Sequence, residues 1–272
     1  MVYQKLRGGD QKVKKLAVLG ANGLLGSGLV KYLSSNYEVT PITRENYEEH
    51  KGQKFDLFIN ANGNSKRFWA LQNVFQDFEA STISVYKTMF DFQFNKYVYI
   101  SSVDVYPDLS SPQKTQENQE IKVIDQNTYG FHKYLSEQIV KKHVSDWLIL
   151  RPSMILGTGL KKGPFFDILN NNPIFVTLDT KLQLTTTQGI AEIIETLFKN
   201  SVTGEIINVG GERSFSFTKI SEYFDQKVQV SHEAKTQTYE MSVEKLKRLH
   251  PNLKTSEGYL QDFLKEYNRK SD

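Results

Sequence analysis

A doubly wound α/β fold with a parallel sheet is the architecture that this sequence predicts, on three observations. Short apolar segments recur along residues 16–150 without polar alternation, as in strands buried on both faces. Helical patterns separate these segments, as in a parallel sheet covered by helices. The first segment, residues 16–19, ends at Gly20, and Gly23 and Gly26 follow before a helical pattern begins. Strand, glycine turn and helix start in this order are typical of a Rossmann-type dinucleotide-binding unit.

The glycines of this turn have separate expected roles. Gly20 allows a sharp turn, Gly23 lets the backbone approach a pyrophosphate, and Gly26 lets the helix pack close to the strand. The free N–H groups at the helix start, at the positive end of its dipole, would face the phosphates. A surface turn without a ligand is the alternative interpretation of the glycines alone. The cofactor-binding residues predicted in this turn are Gly20, Asn22, Gly23, Leu24, Leu25 and Gly26.

Composition narrows the class of protein. The 272 residues are 39% hydrophobic and 24% charged, as in ordinary globular proteins. We expect no signal peptide at the N-terminus, and none of the apolar runs reaches the roughly 20 residues that a membrane span needs. The absence of cysteine excludes disulfides and thiolate chemistry and favours a cytoplasmic location. The five histidines lack metal-ligand spacing, so we predict no metal site.

The net charge of +3 is concentrated at the N-terminus. Residues 1–15 carry five lysine or arginine side chains against one aspartate, and the rest of the chain is nearly neutral. A nucleic-acid-binding arm and a flexible basic tail both fit this pattern. We expect a flexible basic tail at residues 1–14, and no nucleic-acid partner.

The remaining elements define the domain organisation. Strands are predicted at residues 37–42, 55–59, 97–100, 147–150 and 205–209, and helices at about 24–34, 77–94, 128–143, 187–200, 242–249 and 256–267. Residues 157–181 are rich in Gly, Asn, Pro, Lys and aromatics, which is typical of loops over a ligand. We therefore expect a dinucleotide-binding domain at 15–152, with 181–204 packing back onto it, and a smaller substrate-binding part at 153–180 and 205–272.

A second informative cluster lies at the predicted helix 128–143. Tyr129 and Lys133 are four residues apart, so they lie on one helix face, and a cation there favours the phenolate and lowers the tyrosine pKa. Ser101 and Ser102 end the strand at 97–100, where parallel sheets place ligands. A hydroxyl there can bond a substrate oxygen while a tyrosine transfers a proton. Taken alone, the Tyr129–Lys133 spacing has chance as its alternative explanation. The two serines, taken alone, have a turn-forming or helix-capping role as theirs.

With these motifs the chain resembles the extended short-chain dehydrogenases/reductases, a family of nucleotide-sugar epimerases, dehydratases and ketoreductases. The motifs that carry the resemblance are residues 20–26, residues 99–106, Tyr129 with Lys133, residues 150–153 and residues 207–211. It implies catalytic roles for Tyr129 as acid/base, for Lys133 as the residue that lowers its pKa and holds the nicotinamide ribose, and for Ser102 as the group that orients the substrate oxygen. Further cofactor contacts are implied for Asn60, Ala61, Asn62, Ser101 and Pro152.

The chain also departs from the family pattern. Dehydratases of the family carry an Asp-Glu pair where this chain has Val103 and Asp104, which argues against elimination of water. The usual asparagine of the fourth helix corresponds to Ser81, and the asparagine after the fifth strand to Met154. We predict substrate contacts for Ser102, Asp104 and Met154.

The end of the second strand bears on the choice of cofactor. An acidic residue there would bind the ribose 2′-hydroxyl of NAD, whereas this chain has Thr43 and Arg44. A guanidinium suits a 2′-phosphate, so NADP is predicted ahead of NAD. A merely solvated Arg44 is the alternative.

Assembly and function complete the predictions. The predicted helix through residues 83–94 carries an unusual number of apolar side chains, namely Val85, Met89, Phe90, Phe92 and Phe94. The resemblance implies dimerisation through this helix and the helix of Tyr129, as is common in the family, so we expect a homodimer, with a core role for these side chains as the alternative. The predicted function is an NADPH-linked ketoreductase acting on a nucleotide sugar or similar small molecule. The alternatives are an NAD-dependent epimerase and a non-catalytic dinucleotide sensor.

Overall fold

The computed structural model describes residues 13–271, so the predicted basic tail at 1–14 lies outside the described residues except for its last two. The strands are β1 (Lys15–Leu19), β2 (Glu38–Ile42), β3 (Lys54–Asn60), β4 (Gln93–Ile100), β5 (Trp147–Pro152), β6 (Met154–Leu156), β7 (Ile174–Val176), β8 (Lys181–Leu182), β9 (Leu184–Thr186), β10 (Glu205–Val209), β11 (Phe215–Ser216) and β12 (Val230–Lys235). The helices are α1 (Leu24–Leu33), α2 (Arg67–Gln72), α3 (Val74–Phe78), α4 (Ser84–Asp91), α5 (Thr128–His143), α6 (Pro164–Leu169), α7 (Thr187–Lys199), α8 (Glu244–Leu249) and α9 (Ser256–Ser271).

Six strands form the main sheet, in the order β10-β5-β4-β3-β1-β2, and every neighbouring pair is parallel. From β1 the chain proceeds to β2 on one side and then to β3 on the other, which creates a topological switch point between β1 and β3. Ligands of doubly wound folds bind beside the carboxyl ends of the strands at this point. The predicted Rossmann-type α/β fold is confirmed.

Both faces of the sheet are covered by helices. Alternate residues of β1 enter separate cores: Leu16 and Val18 join α1 and α7 on one face, and Ala17 and Leu19 join α4 and α5 on the other. A β-carbon at Gly28 of α1 would lie 2.4 Å from Thr187 Cβ, so α1 and α7 pack in close contact. A third core is built by α6, α9 and the small strands, and a smaller cluster lies around Tyr106.

Two predicted boundaries need correction. The helix predicted at about 77–94 consists of α3, a π-helical turn at Glu79–Ile83 and α4, and it ends at Asp91. Phe92 and Phe94 pack beneath the sheet and not on a helix face, because β4 begins at Gln93. Residues 205–209, predicted with the smaller part, form the edge strand β10 of the main sheet. We therefore propose that the dinucleotide-binding domain consists of residues 13–152 and 187–209. The smaller part then consists of residues 153–186 and 210–271.

Shorter elements also went unpredicted. The stretch at 157–181, predicted as loops, contains α6 and β7, and β7 pairs with β12. The segment after β3 contains α2. Within residues 13–271, none of the helices combines the length and the apolar character that crossing a membrane requires.

Candidate active site

The glycine turn joins β1 to α1 at the switch point. Gly20 has a φ of +83°, and a β-carbon there would lie 2.8 Å from the carbonyl oxygen of Ala61. A β-carbon on Gly26 would lie 2.1 Å from Gly20 O. Gly23 is the N-cap of α1, and no side chain caps the helix start. Backbone N–H groups at Asn22, Leu24 and Leu25 thus border a helix N-terminus suited to phosphates. These features fit a dinucleotide.

The loop after β3 forms the opposite side of the switch point. Ala61 N donates to Leu19 O at 3.0 Å, which ties this loop to β1. The side chain of Asn60 accepts from Asn62 N at 3.0 Å and donates to Tyr97 Oη at 2.7 Å. Asn60 is buried, so its side chain holds the loop in place, and the half-buried Asn62 and Ala61 are the residues that face the turn.

Arg44 follows β2 beside the same turn. Gly20 N donates to Ile42 O at 3.0 Å, which places the residues after Ile42 next to the glycines. Thr43 N donates to the Asn46 side chain at 2.7 Å, which fixes the bend. Arg44 is exposed and, among the described residues, has no carboxylate within 4 Å. Its guanidinium is therefore available to a ligand at the turn.

The start of α5 packs on the residues that follow β4. Asn127 caps the helix by accepting from Gly130 N at 3.0 Å. A β-carbon on Gly130 would lie 2.0 Å from Asp104 O, so only glycine allows this approach. Ser102 Oγ in turn accepts from Asp104 N at 3.2 Å. This packing brings Tyr129 next to Ser102, with Lys133 one helical turn further along.

The electrostatics of Tyr129 differ from the expectation. Burial raises the Tyr129 pKa well above its ordinary value, the charge of Asp104 adds to this effect, and the hydrogen bond with Ser102 opposes it. The predicted lowering of this pKa by Lys133 does not appear in this structure, because burial and the charge of Asp104 dominate it. The pocket therefore favours a neutral phenol.

Lys133 is buried and, within residues 13–271, has no counter-ion within 4 Å. Its Nζ donates to Ile100 O at 3.3 Å and lies 5.4 Å from the ring centre of Tyr99. Burial lowers the Lys133 pKa to about 8, and the charges of Asp77 and Glu137 oppose this. At neutral pH the site therefore pairs a phenol with an ammonium group.

Ser101 and Pro152 lie on the inner side of the site. Ser101 Oγ donates to Glu137 Oε1 at 2.5 Å, and the same carboxylate accepts from Arg151 at 2.9 and 2.6 Å. Arg151 also donates to Tyr106 Oη at 2.7 Å. Pro152 ends β5 and is buried opposite Val209 of β10. The Ser101 hydroxyl is therefore part of the framework behind the site.

Two residues at the substrate side escaped the sequence analysis. Arg67 forms an ion pair with Asp104 at 3.0 Å, and Tyr239 Oη donates to Asp104 at 3.2 Å. Arg67 also donates to Tyr239 Oη at 2.7 and 2.5 Å. Burial raises the Asp104 pKa while Arg67 lowers it. No local pattern marks either residue, because 172 positions separate them.

Met154, the third predicted substrate residue, begins β6. Its backbone N–H donates to Gln183 O at 3.2 Å. Its Cε would lie 3.2 Å from a β-carbon on Gly163, just before α6. The half-buried side chain thus packs under the start of α6. Within residues 13–271 the hydrogen bonds of Met154 go to Gln183 and Ser153, so its contact with a substrate stays a prediction.

Fold and site together define an enzyme of the Rossmann type that uses a nicotinamide dinucleotide. A family model described as the NAD dependent epimerase/dehydratase family matches residues 54–210. The chain belongs to this family. A comparison with curated proteins finds no match.

Solved structures share the fold along almost the whole chain. A dTDP-4-dehydrorhamnose reductase from Bacillus anthracis, in complex with NADP, is 19% identical, with 94% of this chain and 99% of that chain covered and a TM-score of 0.77. A UDP-glucuronic acid 4-epimerase variant from Bacillus cereus, in complex with a fluorinated UDP-sugar and NAD, is 16% identical, with 93% and 99% covered and a TM-score of 0.73. RMD from Pseudomonas aeruginosa, complexed with NADPH, is 15% identical, with 94% and 99% covered and a TM-score of 0.74.

Proposed function

We propose that the chain is an NADPH-linked ketoreductase acting on a nucleotide-activated sugar or a comparable carbonyl compound. The observation that carries the proposal is the meeting of Ser102, Tyr129 and Lys133 after β4, beside the switch point that holds the glycine turn. Family membership supports a sugar-nucleotide substrate. Two similar folds, a reductase with NADP and RMD with NADPH, agree with this choice of cofactor.

The three side chains can divide the proton chemistry among them. A bound nicotinamide would supply hydride to the substrate carbonyl carbon. The Ser102 hydroxyl would orient the carbonyl oxygen, and the Tyr129 phenol would donate its proton to that oxygen. The Lys133 ammonium would stabilise the phenolate that remains. Because burial favours the phenol form of Tyr129, the resting site is suited to act as an acid, as a reduction requires.

Arg44 supports NADP over NAD in this proposal. Its exposed guanidinium, next to the glycine turn, can bind a 2′-phosphate by charge-assisted hydrogen bonds. An epimerase would keep a tightly bound NAD through its reaction cycle, whereas a reductase exchanges its cofactor. A purely sensory protein has no use for the Ser102–Tyr129–Lys133 arrangement.

A Tyr129→Phe variant tests the proposal. We expect turnover of a 4-keto nucleotide sugar with NADPH to fall by about 10²–10⁴-fold, since the proton donor is lost, while NADPH affinity stays within about twofold. Tyr86→Phe, which alters a partly exposed tyrosine of α4, is the control. Retained turnover in Tyr129→Phe contradicts the catalytic assignment. NADH binding as tight as NADPH, or NAD released on denaturation, favours the epimerase instead.

We also propose a homodimer, on a surface that differs from the predicted one. Of the five apolar residues predicted for it, only Phe90 is largely exposed, at 67%. Phe68, Leu71 and Phe75 of α2 and α3 are exposed as well, and these helices pack against α5. Burial of these side chains in a second copy would remove apolar area from water.

Sedimentation at micromolar concentration tests the homodimer. We expect twice the mass of one chain for the wild type. Phe75→Glu should give single chains, because it places a charge in the interface, and Lys227→Glu, at an exposed position outside these helices, should not. A wild type that sediments as a single chain contradicts the dimer.

A further inference from the structure

Asp77 and His132 form a buried pair to which the family resemblance assigns no role. Asp77 lies on α3 and His132 on α5, and both are buried. Asp77 Oδ2 is 2.6 Å from His132 Nδ1. The ring of Phe78 packs edge-on against His132 at 5.3 Å. Because desolvation makes even a buried pair of ionisable groups costly, the presence of this pair calls for an explanation.

The other oxygen of Asp77 is held by the loop after β3 and by the π-helical turn. Asn64 Nδ2 donates to Asp77 Oδ1 at 2.8 Å, and Ser81 Oγ donates to the same atom at 3.3 Å. Ser81 lies within the π-helical turn at Glu79–Ile83, and such turns are frequent at functional sites. The carboxylate is therefore fixed from three directions.

Asp77 and its partners adjoin Lys133. His132 is the neighbour of Lys133 on α5. A β-carbon on Gly63 would lie 3.3 Å from Lys133 Nζ and 3.5 Å from Ser81 Oγ. Both atoms thus border the same small space beside Gly63, and Ser81 connects that space to Asp77.

A count of the charges near Lys133 singles out Asp77. Among the described residues, no carboxylate lies within 4 Å of the Lys133 ammonium, and its close neighbours are Ile100 O and the Tyr99 ring. Glu137 is engaged with Arg151 and Ser101. Asp77 and Glu137 are the two carboxylates whose charges raise the Lys133 pKa, and of these Asp77 is the one that is not paired with an arginine.

We propose that Asp77 is the remote counter-ion of Lys133, and that His132, Asn64 and Ser81 hold its charge in place. Asp77 is then a positioning residue: it touches neither cofactor nor substrate, and it keeps the Lys133 ammonium protonated in a buried site. The proposal rests on the proposed function, in which Lys133 meets the cofactor. It also explains why the usual helix-four asparagine can be replaced by Ser81, since Ser81 here connects to a charged group.

The pH dependence of NADPH binding tests this role without any turnover. Affinity is measured by fluorescence between about pH 6 and pH 10 for the wild type and Asp77→Asn. The wild type should lose affinity as the pH rises through about 8, where Lys133 loses its proton. In Asp77→Asn this midpoint should lie about one pH unit lower, because an attractive charge has been removed. The variant should bind about threefold more weakly at about pH 7.5 and equally well at about pH 6.

Two control variants separate charge from packing. His132→Gln keeps the Asp77 carboxylate and can still donate to it, so its midpoint should match the wild type. Asp91→Asn removes a carboxylate that is bonded to Tyr47 at 2.9 Å on α4, and it should also match. If Asp77→Asn does not fold, the neutral pair Asp77→Asn/His132→Gln should show the same lowered midpoint, because each amide can bond the other.

The possible failures are distinct. A wild type that binds NADPH and an Asp77→Asn variant with an unchanged midpoint overturn the inference alone. A lowered midpoint in His132→Gln equal to that of Asp77→Asn also overturns it, because packing would then explain the effect. A wild type that binds neither NADPH nor NADH at any pH overturns the proposed function and the inference with it.

Discussion

Two buried cations, Lys133 of α5 and Arg151 of the neighbouring strand β5, differ in how the structure pairs their charges. Arg151 has a carboxylate of its own, since both oxygens of Glu137 accept from it, and its third bond goes to Tyr106. Among the residues that the structure describes, Lys133 has only the Ile100 carbonyl as a close hydrogen-bond partner. Burial opposes the charge of both, but Glu137 raises the Arg151 pKa, whereas the Lys133 pKa falls to about 8.

The difference separates a charge that supports the fold from a charge that is kept for chemistry. Arg151 connects α5 to β5, and Tyr106 extends the connection to Asn208 of β10 at 3.0 Å. A planar guanidinium suits such a fixed bidentate contact. An amine with a shifted pKa can respond to a ligand or to a reacting group, which is a feature of active sites. Removal of the Arg151 counter-charge should therefore lower the stability of the protein. Removal of the Lys133 charge should raise the stability and abolish the activity.

Removal of the Arg151 partner should have the largest effect on stability. Glu137→Gln leaves a buried guanidinium without its counter-charge, so we expect the free energy of unfolding to fall by about 3–5 kcal/mol. Urea denaturation at neutral pH measures this loss. Glu222→Gln, at an exposed position, is the control and should change stability by less than about 0.5 kcal/mol. If Glu137→Gln lost no more stability than the control, the buried charge of Arg151 would not depend on the Glu137 carboxylate.

Removal of the Lys133 charge should instead stabilise the protein. The Lys133 pKa in the folded state, about 8, lies below the 10.5 of an exposed lysine, so folding is penalised at any pH below about 8, and the penalty disappears as the pH rises beyond the unfolded value. Lys133→Met should raise the free energy of unfolding by about 2 kcal/mol at neutral pH, with a smaller gain near pH 10. Urea denaturation at both pH values measures this. The same variant should lose turnover. A gain that does not depend on pH would argue against the charge as its cause.

A third cation, Arg67, sharpens the comparison because it is only partly buried. Its ion pair with Asp104 is bridged by the Tyr239 hydroxyl. Tyr239→Phe removes one hydrogen-bonding group and leaves the ion pair, so we expect a loss of only about 1 kcal/mol in urea denaturation. A loss in the free energy of unfolding as large as that expected for Glu137→Gln would mean that the degree of burial does not determine the size of the loss.

The sequence predicted best those features whose signal is local. Gly20, Gly23 and Gly26 lie within seven residues, and the Tyr129–Lys133 pair lies within one helical turn, so the pattern itself defines their geometry. The end of α4 was missed because Phe92 and Phe94 fit an apolar helix face as well as a strand. Arg67 and Tyr239 were missed because only the tertiary structure brings them together. Asp77 and His132 went unpredicted for the same reason, since 55 positions separate them.

The position of β10 has a consequence for the order in which the chain can fold as it is synthesised. β5 pairs with β4 on one side, but its other edge is completed only by Glu205–Val209. More than fifty residues are made between these two strands. During that interval β5 presents an open row of backbone donors and acceptors, which is the kind of edge that recruits other chains. The open edge of β5 can be covered only after β10 has been made, so we expect the nascent chain to be open to such pairing during this interval.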